Sequence, residues 1–282
     1  MHYKKVVLPI VMAALPVVFA CQPDPWRIPV SLEIESEHLT PEQASVALFG
    51  AYDRERREST WNMRRNREFF EQFKDHEFVV APDRDIVLTT QYRAADVSQK
   101  DYVSLLYTTT FGYMEEIEDS QAYGVISVFE FKKSDSTWKL IQQSHMVLAL
   151  AYGHYESLDA GYEVGKPVIG KNNNAFDIYT PGGGIAGVYH GHSHLIARVG
   201  QAYSIVFTYA THDSYCPYSY HESSDPMEAE SCSGMEASID ILECDQEFCP
   251  IRLTVEGRTG PNLGEEEFVP GIYRFNGREY VR

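Results

Sequence analysis

Residues 124–151 read GVISVFEFKKSDSTWKLIQQSHMVLALA, a pattern that specifies a β-hairpin. β-Branched and aromatic side chains fill both arms, as suits a pleated and packed surface. In the first arm Val125, Ser127 and Phe129 alternate with Ile126, Val128 and Glu130, so the side chains directed to either face are mostly apolar. Such a strand lies between two layers, with little of it facing water. Lys133-Ser134-Asp135-Ser136 breaks the run with turn residues, and the second arm follows over 137–151.

The same signature recurs at 86–92, 102–109, 176–179, 185–199, 203–211, 237–242, 251–256 and 271–275, with Asn276-Gly277 turning the chain towards Tyr280. About ten strands joined mostly by short loops predict an α+β, mainly β chain of mostly antiparallel strands, sandwich or open-barrel-like, over 85–282. This body is one domain or two closely packed halves meeting near 160–175, where Gly161, Gly165, Gly170 and Asn172-Asn173-Asn174 cluster. Ahead of it Thr40-Pro41-Glu42-Gln43 starts a helix, with Thr40 as cap, proline in the first turn and Gln43 placed to return the cap. Ala44, Val46, Ala47, Phe49 and Tyr52 extend this helix, which is expected to end by Arg54. A second helix is expected over 61–73 from Trp61, Phe69, Phe70 and Phe73, so that 40–84 reads as a helical segment preceding the strands.

The first residues carry an address. Lys4 and Lys5 precede an uncharged run over 6–19, too short for the ~20 residues that a membrane-spanning helix needs, with Pro9 and Pro16 inside it. Val18-Phe19-Ala20-Cys21 resembles the lipobox of bacterial lipoprotein precursors. The resemblance implies a signal peptide over 1–20, acylation of Cys21 (palmitate and diacylglycerol), and a lipid anchor in the cell envelope. Gln22 in place of Asp implies sorting to the outer membrane, facing the periplasm. An ordinary secretory signal cut at the same bond would instead leave Cys21 as a free thiol. Each buried methylene contributes roughly 0.8 kcal/mol, so several acyl chains hold the body to a leaflet. Pro23, Pro25 and Pro29 make 21–39 an extended, lipidated tether.

The order of helix, paired strands, a hairpin before Trp138-Lys139-Leu140-Ile141, a glycine-rich loop and Gly182-Gly183-Gly184 feeding a long strand is similar to a group of uncharacterised exported bacterial proteins over 85–210. That similarity implies export and a β-rich body, and no activity. The cysteine-containing stretch that such proteins often carry near 118–124 is missing from this chain.

Apart from Cys21 the cysteines are Cys216, Cys232, Cys244 and Cys249. In an oxidising compartment an even set predicts two disulfides. Cys244 with Cys249 and Cys216 with Cys232 are the favoured pairs among three pairings. A zinc site wants closer pairs than spacings of 16, 12 and 5 provide. The formal net charge is −17, and loss of Lys4 and Lys5 with the signal takes it to −19. Such a field opposes nucleic acid and favours a cationic protein partner in the periplasm, although an acidic surface also serves solubility alone. Arg54, Arg56, Arg57, Arg64, Arg65 and Arg67 form a basic island that meets lipid phosphates or wall polymer, or pairs with Glu55, Glu58 and Glu68.

The sharpest chemical motif is His190-Gly191-His192-Ser193-His194. On a strand all three imidazoles share a face with Val188 and Ile196, at roughly 6.5 Å between alternate Cα atoms. Zinc or copper suits such a set, with His212, His154 or a carboxylate as a fourth ligand. Histidines on a solvent-facing strand equally need no metal. Other templates fail. Ser193 alternates away from its histidine neighbours and lacks the second glycine of a nucleophile elbow. Gly182-Gly183-Gly184 lacks the Lys-Ser/Thr and the helix of a phosphate cradle. Glu115-Glu116 and Glu265-Glu266-Glu267 read as loop charge. The tyrosine-bearing loop at 215–220, with Cys216 and His221, suits recognition or packing about a disulfide.

Three functions follow. The leading one is a lipid-anchored periplasmic binding or interaction protein without catalytic activity, such as an inhibitor or immunity factor for a cationic envelope enzyme. The alternatives are a metal-binding lipoprotein using His190, His192 and His194, and an envelope hydrolase with an unrecognised site. Mass spectrometry of the mature N-terminus is expected to find a diacylglycerol mass on Cys21, lost in Cys21→Ser together with membrane retention. An unmodified Cys21 would remove the anchor.

Overall fold

The structure, a computed structural model, describes residues 31–50, 52–55, 58–62, 86–99, 101–113, 123–150, 164–182, 188–215, 233–257 and 269–282. Among the described residues there is one helix, α1 (Pro41–Phe49), and the rest of the regular structure is strand. In chain order these are β1 (Glu33–Glu35), β2 (Glu58–Asn62), β3 (Ile86–Gln99), β4 (Tyr102–Tyr113), β5 (Tyr123–Ser134), β6 (Thr137–Leu150), β7 (Val164–Gly165), β8 (Val168–Gly170) and β9 (Asn173–Gly182). They continue with β10 (Val188–Val199), β11 (Ala202–Tyr215), β12 (Ser233–Ile241), β13 (Ile251–Gly257), β14 (Gly271–Phe275) and β15 (Tyr280–Val281). The chain is mainly β, as its alternation predicts, and each expected strand overlaps one of these elements; 151 and 185–187 of the expected runs lie outside the described residues.

Two antiparallel sheets result. The first has the order β1-β6-β5-β4-β3-β2, and the second runs β15-β14-β13-β12-β11-β10-β9-β7 with β8 beside β9. The hairpin of β5 and β6 closes with Ser134 opposite Thr137. Asp135 takes φ 56° at its tip, a left-handed conformation that aspartate tolerates better than most side chains.

Three apolar layers hold the sheets. Ala44, Leu48 and Phe49 of α1 cover one face of the first sheet at Leu105, Tyr107, Phe129 and Phe131. The rings of Phe49, Tyr107 and Phe129 meet edge to face at 5.2, 5.5 and 5.7 Å, a favoured geometry for aromatic quadrupoles. Leu106, Ile126, Val128 and Leu148 on the opposite face meet Phe176, Ile178 and Ile196 of the second sheet. β5 is therefore buried on both sides, from Val125 to Phe131. The second sheet curls into a half-barrel around Ile169, Leu195, Phe207, Ile251, Leu253 and Tyr280.

α1 has the expected capping box: the Gln43 amide donates to Thr40 Oγ1 at 3.2 Å, and the Thr40 amide to Gln43 Oε1 at 3.0 Å. It ends by Arg54 as expected but stops short of Tyr52, because Gly50 at φ 88° turns the chain and its amide closes on the Val46 carbonyl at 2.9 Å. Arg54 lies beyond the helix and pairs with Glu42 at 2.6 Å.

Two further expectations are corrected. The tether does not extend to residue 39: Glu33–Glu35 pairs with β6, and Leu32 and Ile34 pack on the first core. The apolar pair at alternate positions gains burial that an extended tether forgoes. The helix expected from Trp61 does not begin there, since Glu58–Asn62 pairs with β3, Trp61 opposite Leu88. Ser59-Thr60-Trp61 has little helix preference to oppose an open sheet edge. The remainder of that helix from 63 lies outside the described residues, as do the signal segment with Cys21, Arg56, Arg57, Glu115-Glu116, His154, Gly183-Gly184, Cys216, the loop at 216–220, His221, Cys232 and Glu265-Glu266-Glu267.

A backbone latch joins β8 and the turn after it to the loop between β12 and β13. The Cys249 amide donates to the Ile169 carbonyl and the Lys171 amide to the Gln246 carbonyl, both at 2.7 Å. The disulfide Cys244–Cys249, the expected pair, brackets this loop, and the buried Tyr280 hydroxyl donates to the Cys249 carbonyl at 2.9 Å. Gly170 allows the approach, since a Cβ there would stand 2.0 Å from the Glu247 carbonyl oxygen. Gly170→Ala is accordingly expected to cost about 2 kcal/mol by overpacking, and Cys244→Ser with Cys249→Ser about 2 kcal/mol by releasing a short loop. Urea denaturation reads both; an unchanged midpoint in Gly170→Ala would show that the two segments do not close on each other.

Candidate functional site

The histidine stripe lies on β10, between β9 and β11. His190 and His192 have ring centroids 5.9 Å apart, and His192 and His194 6.5 Å, so alternation places them as expected. His194 is held by two threonines: its Nε2 lies 3.1 Å from Thr180 Oγ1 and its Nδ1 3.0 Å from Thr208 Oγ1. Thr208 is its cross-strand partner on β11, and Thr180 that of His192 on β9. Burial, followed by the neighbouring His192, pushes the His194 pKa down from 6.5 to about 4. A ligating imidazole must present a free lone pair to the ion, and both His194 nitrogens are engaged with hydroxyls instead. Among the described residues no three His, Cys, Asp or Glu side chains are placed to share a metal ion.

His212 does not complete the set, because it belongs to the other face. A Cβ on Gly191, which points away from the stripe, would meet the Tyr179 ring at 2.5 Å and His212 at 2.7 Å. The two rings close over Gly191, with Tyr179 Oη 3.4 Å from His212 Nδ1. Only glycine leaves them that space. Ser193 occupies this face too, buried and within hydrogen-bonding reach of Asp177 and Tyr209. Burial raises the Asp177 pKa, offset by Ser193, and lifts Tyr209 to about 12, with Asp177 the next cause. The serine hydroxyl thus serves a polar row inside the sheet, opposite the imidazoles.

A second site, not anticipated from the sequence, lies between the sheets. Tyr102 and Ser104 of β4, Glu130 of β5, Asn173 of β9, Arg198 of β10 and Tyr203 of β11 line a polar cavity of about 360 Å³, with Glu247 of the latch at its edge. Glu130 is only 3 % exposed. Its Oε1 accepts from Arg198 Nη1 at 2.6 Å, while Arg198 Nε donates to the Gly200 carbonyl at 3.1 Å. Ser104 Oγ and the Tyr203 hydroxyl are 2.5 Å apart, and the Tyr203 amide donates to Ser144 Oγ at 2.8 Å. Burial raises the Glu130 pKa above 4.5 against the opposing effects of Arg198 and the Tyr203 hydroxyl. Burial, then the Glu130 charge, lifts Tyr203 to about 12.

Two buried atoms of this cavity have no hydrogen-bond partner, Glu130 Oε2 and Asn173 Nδ2. Both are shut off from solvent within the walls, behind the groups that face the cavity. The signal in the sequence was a lone carboxylate on a strand whose two faces are mostly apolar. Its counterpart Arg198 ends the apolar run Leu195-Ile196-Ala197.

No protein-family model matches the chain, and no curated protein or solved structure shows significant similarity to it. Among the described residues no helix is long and apolar enough to cross a membrane.

Arg198→Met would leave the Glu130 carboxylate buried without its countercharge, at an expected cost of about 3 kcal/mol near neutral pH. The sign of the pH dependence follows from linkage. A carboxyl with a raised folded pKa favours the folded state below its unfolded value of 4.5, an advantage lost as pH rises through the folded pKa. Without Arg198 that pKa rises further, so the deficit of the variant is expected to shrink as pH falls towards 4.5. Urea unfolding of both proteins across this window measures it; a pH-independent deficit would show that charge pairing is not its origin.

Proposed function

We propose that the chain is a lipid-anchored protein of the bacterial cell envelope that works by binding, without catalysis, and that the cavity between its sheets is the recognition site. One observation carries this reading: a buried carboxylate, paired with a guanidinium that reaches it from the other sheet, lies in the wall of an open polar cavity. Walls taken from five strands of two packed sheets are rigid, so little ordering would oppose ligand entry. The opposed placement of Ser193 and the imidazoles supports a role in binding over acyl transfer.

The lipobox resemblance supplies the anchor in this reading. With β1 beginning at Glu33, the twelve residues from Cys21 to Leu32 could reach at most roughly 40 Å when fully extended, which keeps the body close to the leaflet. The exterior supports a basic partner. Exposed Glu236, Asp240, Glu243, Asp245, Glu247 and Glu256 on β12, β13 and the latch loop have no ion-pair partner among the described residues. Charge of one sign steers an oppositely charged protein and weakens in salt.

The test is affinity capture from envelope extract at low salt with the wild type and with Asn173→Leu, scoring both co-eluting proteins and small molecules released on denaturation. The leucine replaces a polar side chain of the cavity wall at similar volume and is expected to leave stability nearly unchanged. A component retained by the wild type and depleted about tenfold in the variant is expected. Identical eluates from the two proteins would remove the cavity as the recognition site.

A further inference from the structure

We infer that the groove beside the Cys244–Cys249 disulfide docks a basic segment of a partner protein, through lysine or arginine side chains whose aliphatic stems lie over Val168 and Leu242 and whose charged heads meet Glu243 and Asp245. The inference takes from the preceding reading only that the partner is basic, and adds where on the surface it is held.

The groove runs between β8, with the turn after it, and the loop that joins β12 to β13. Val168 and Lys171 stand on one side, and Leu242, Glu243, Asp245 and the disulfide on the other, around about 600 Å³. Its walls are set before any partner arrives. The disulfide closes the loop, the Leu242 amide donates to the Pro250 carbonyl at 2.9 Å, and the latch ties the loop to β8. A preformed groove loses little binding energy to ordering.

Two properties select the occupant. The floor is apolar and uncovered: Val168 is 64 % exposed, more than any other large apolar side chain among the described residues, and shares the groove with the half-buried Leu242. The rim is acidic and accessible. Glu243 and Asp245 are exposed, and neither has an ion-pair partner among the described residues. Lys171, the one basic side chain of the lining, pairs with neither of them.

A lysine or arginine meets both properties, because its methylenes cover apolar surface while its head stays with carboxylates at the water's edge. Other occupants meet one at most. An anion would face two carboxylates against one ammonium. A wholly apolar segment would cover those carboxylates without pairing them. A metal ion would leave Val168 as exposed as before. A second copy of this chain, of formal net charge −17, would bring the same acidic rims together in a two-fold contact.

The experiment is calorimetry on the full chain in nonionic detergent, with an extended Gly-Ser peptide carrying several lysines as the probe. In two matched peptides norleucine replaces each lysine, keeping the stem without the charge, or 2,4-diaminobutyrate does, keeping the charge on a shorter stem. The lysine peptide is expected to bind, and each replacement to weaken it about fivefold. Glu243→Gln with Asp245→Asn is expected to weaken it about fivefold, and Val168→Ser about threefold. All three positions are exposed, so these variants are expected to fold. Glu35→Gln with Asp101→Asn removes the same charge from exposed positions outside the groove and is expected to weaken binding less than about twofold, since distant charges are screened. No binding of the lysine peptide would overturn the inference. So would equal weakening by the two double variants, or a norleucine peptide bound as tightly as the lysine one. If the groove fails in this way while capture from extract still depends on Asn173, the cavity stands as the recognition site. If the groove binds as expected while capture is independent of Asn173, the cavity falls and the groove stands.

Discussion

Burial of both faces of β5 organises the molecule. Val125, Phe129 and Phe131 meet α1 and its surroundings, while Ile126 and Val128 meet the second sheet. Each apolar side chain so enclosed contributes about 1.5–3 kcal/mol relative to exposure, and the strand cannot shift by one residue without exchanging its two layers. A charged residue on it must be satisfied from within. Glu130 is that residue, and Arg198 reaches it from the other sheet. The pair joins the layers at a point where apolar packing gives way, and the cavity is the space left around it. A buried ion pair is weak evidence for stability by itself; here it spans two sheets and fixes their separation at the polar cavity.

The histidines illustrate how a sheet disposes of a motif. Alternation gives His190, His192 and His194 a shared face, but the adjoining strands decide what that face offers, and they supply Thr180 and Thr208. Kept neutral, His194 resists protonation, so its stabilising effect is full above 6.5 and is lost as pH falls towards about 4. His145, lowered to about 4 by burial, acts in the same direction. Gly191 serves the opposite side by admitting Tyr179 and His212.

Much of the fold was legible because its information is local. The period of two, the turn residues at 133–136 and at Asn276-Gly277, the Thr40 capping box and the short spacing of Cys244 and Cys249 all act within a few residues. β1 and β2 were not legible: three- and five-residue strands draw their stability from partners at β6 and β3, which no local preference reports. The cavity was hidden for the same reason. Glu130 and Arg198 are 68 residues apart in the chain; the misplaced carboxylate was visible, but its partner was not.

The latch has a consequence for the order of assembly. From β9 to β15 each strand pairs with its successor in the chain, so the curved sheet can grow hairpin by hairpin at small loop-closure cost. The hydrogen bonds from Lys171 to Gln246 and from Cys249 to Ile169 close across the strands from β9 to β12 and need those strands in place. They bring together segments separated by β9, β10, β11 and β12. The curved sheet is thus a spring wound from local contacts and fastened across its middle, so that the rim bearing Glu247 owes its shape to the far side of the curl as well as to its own turn.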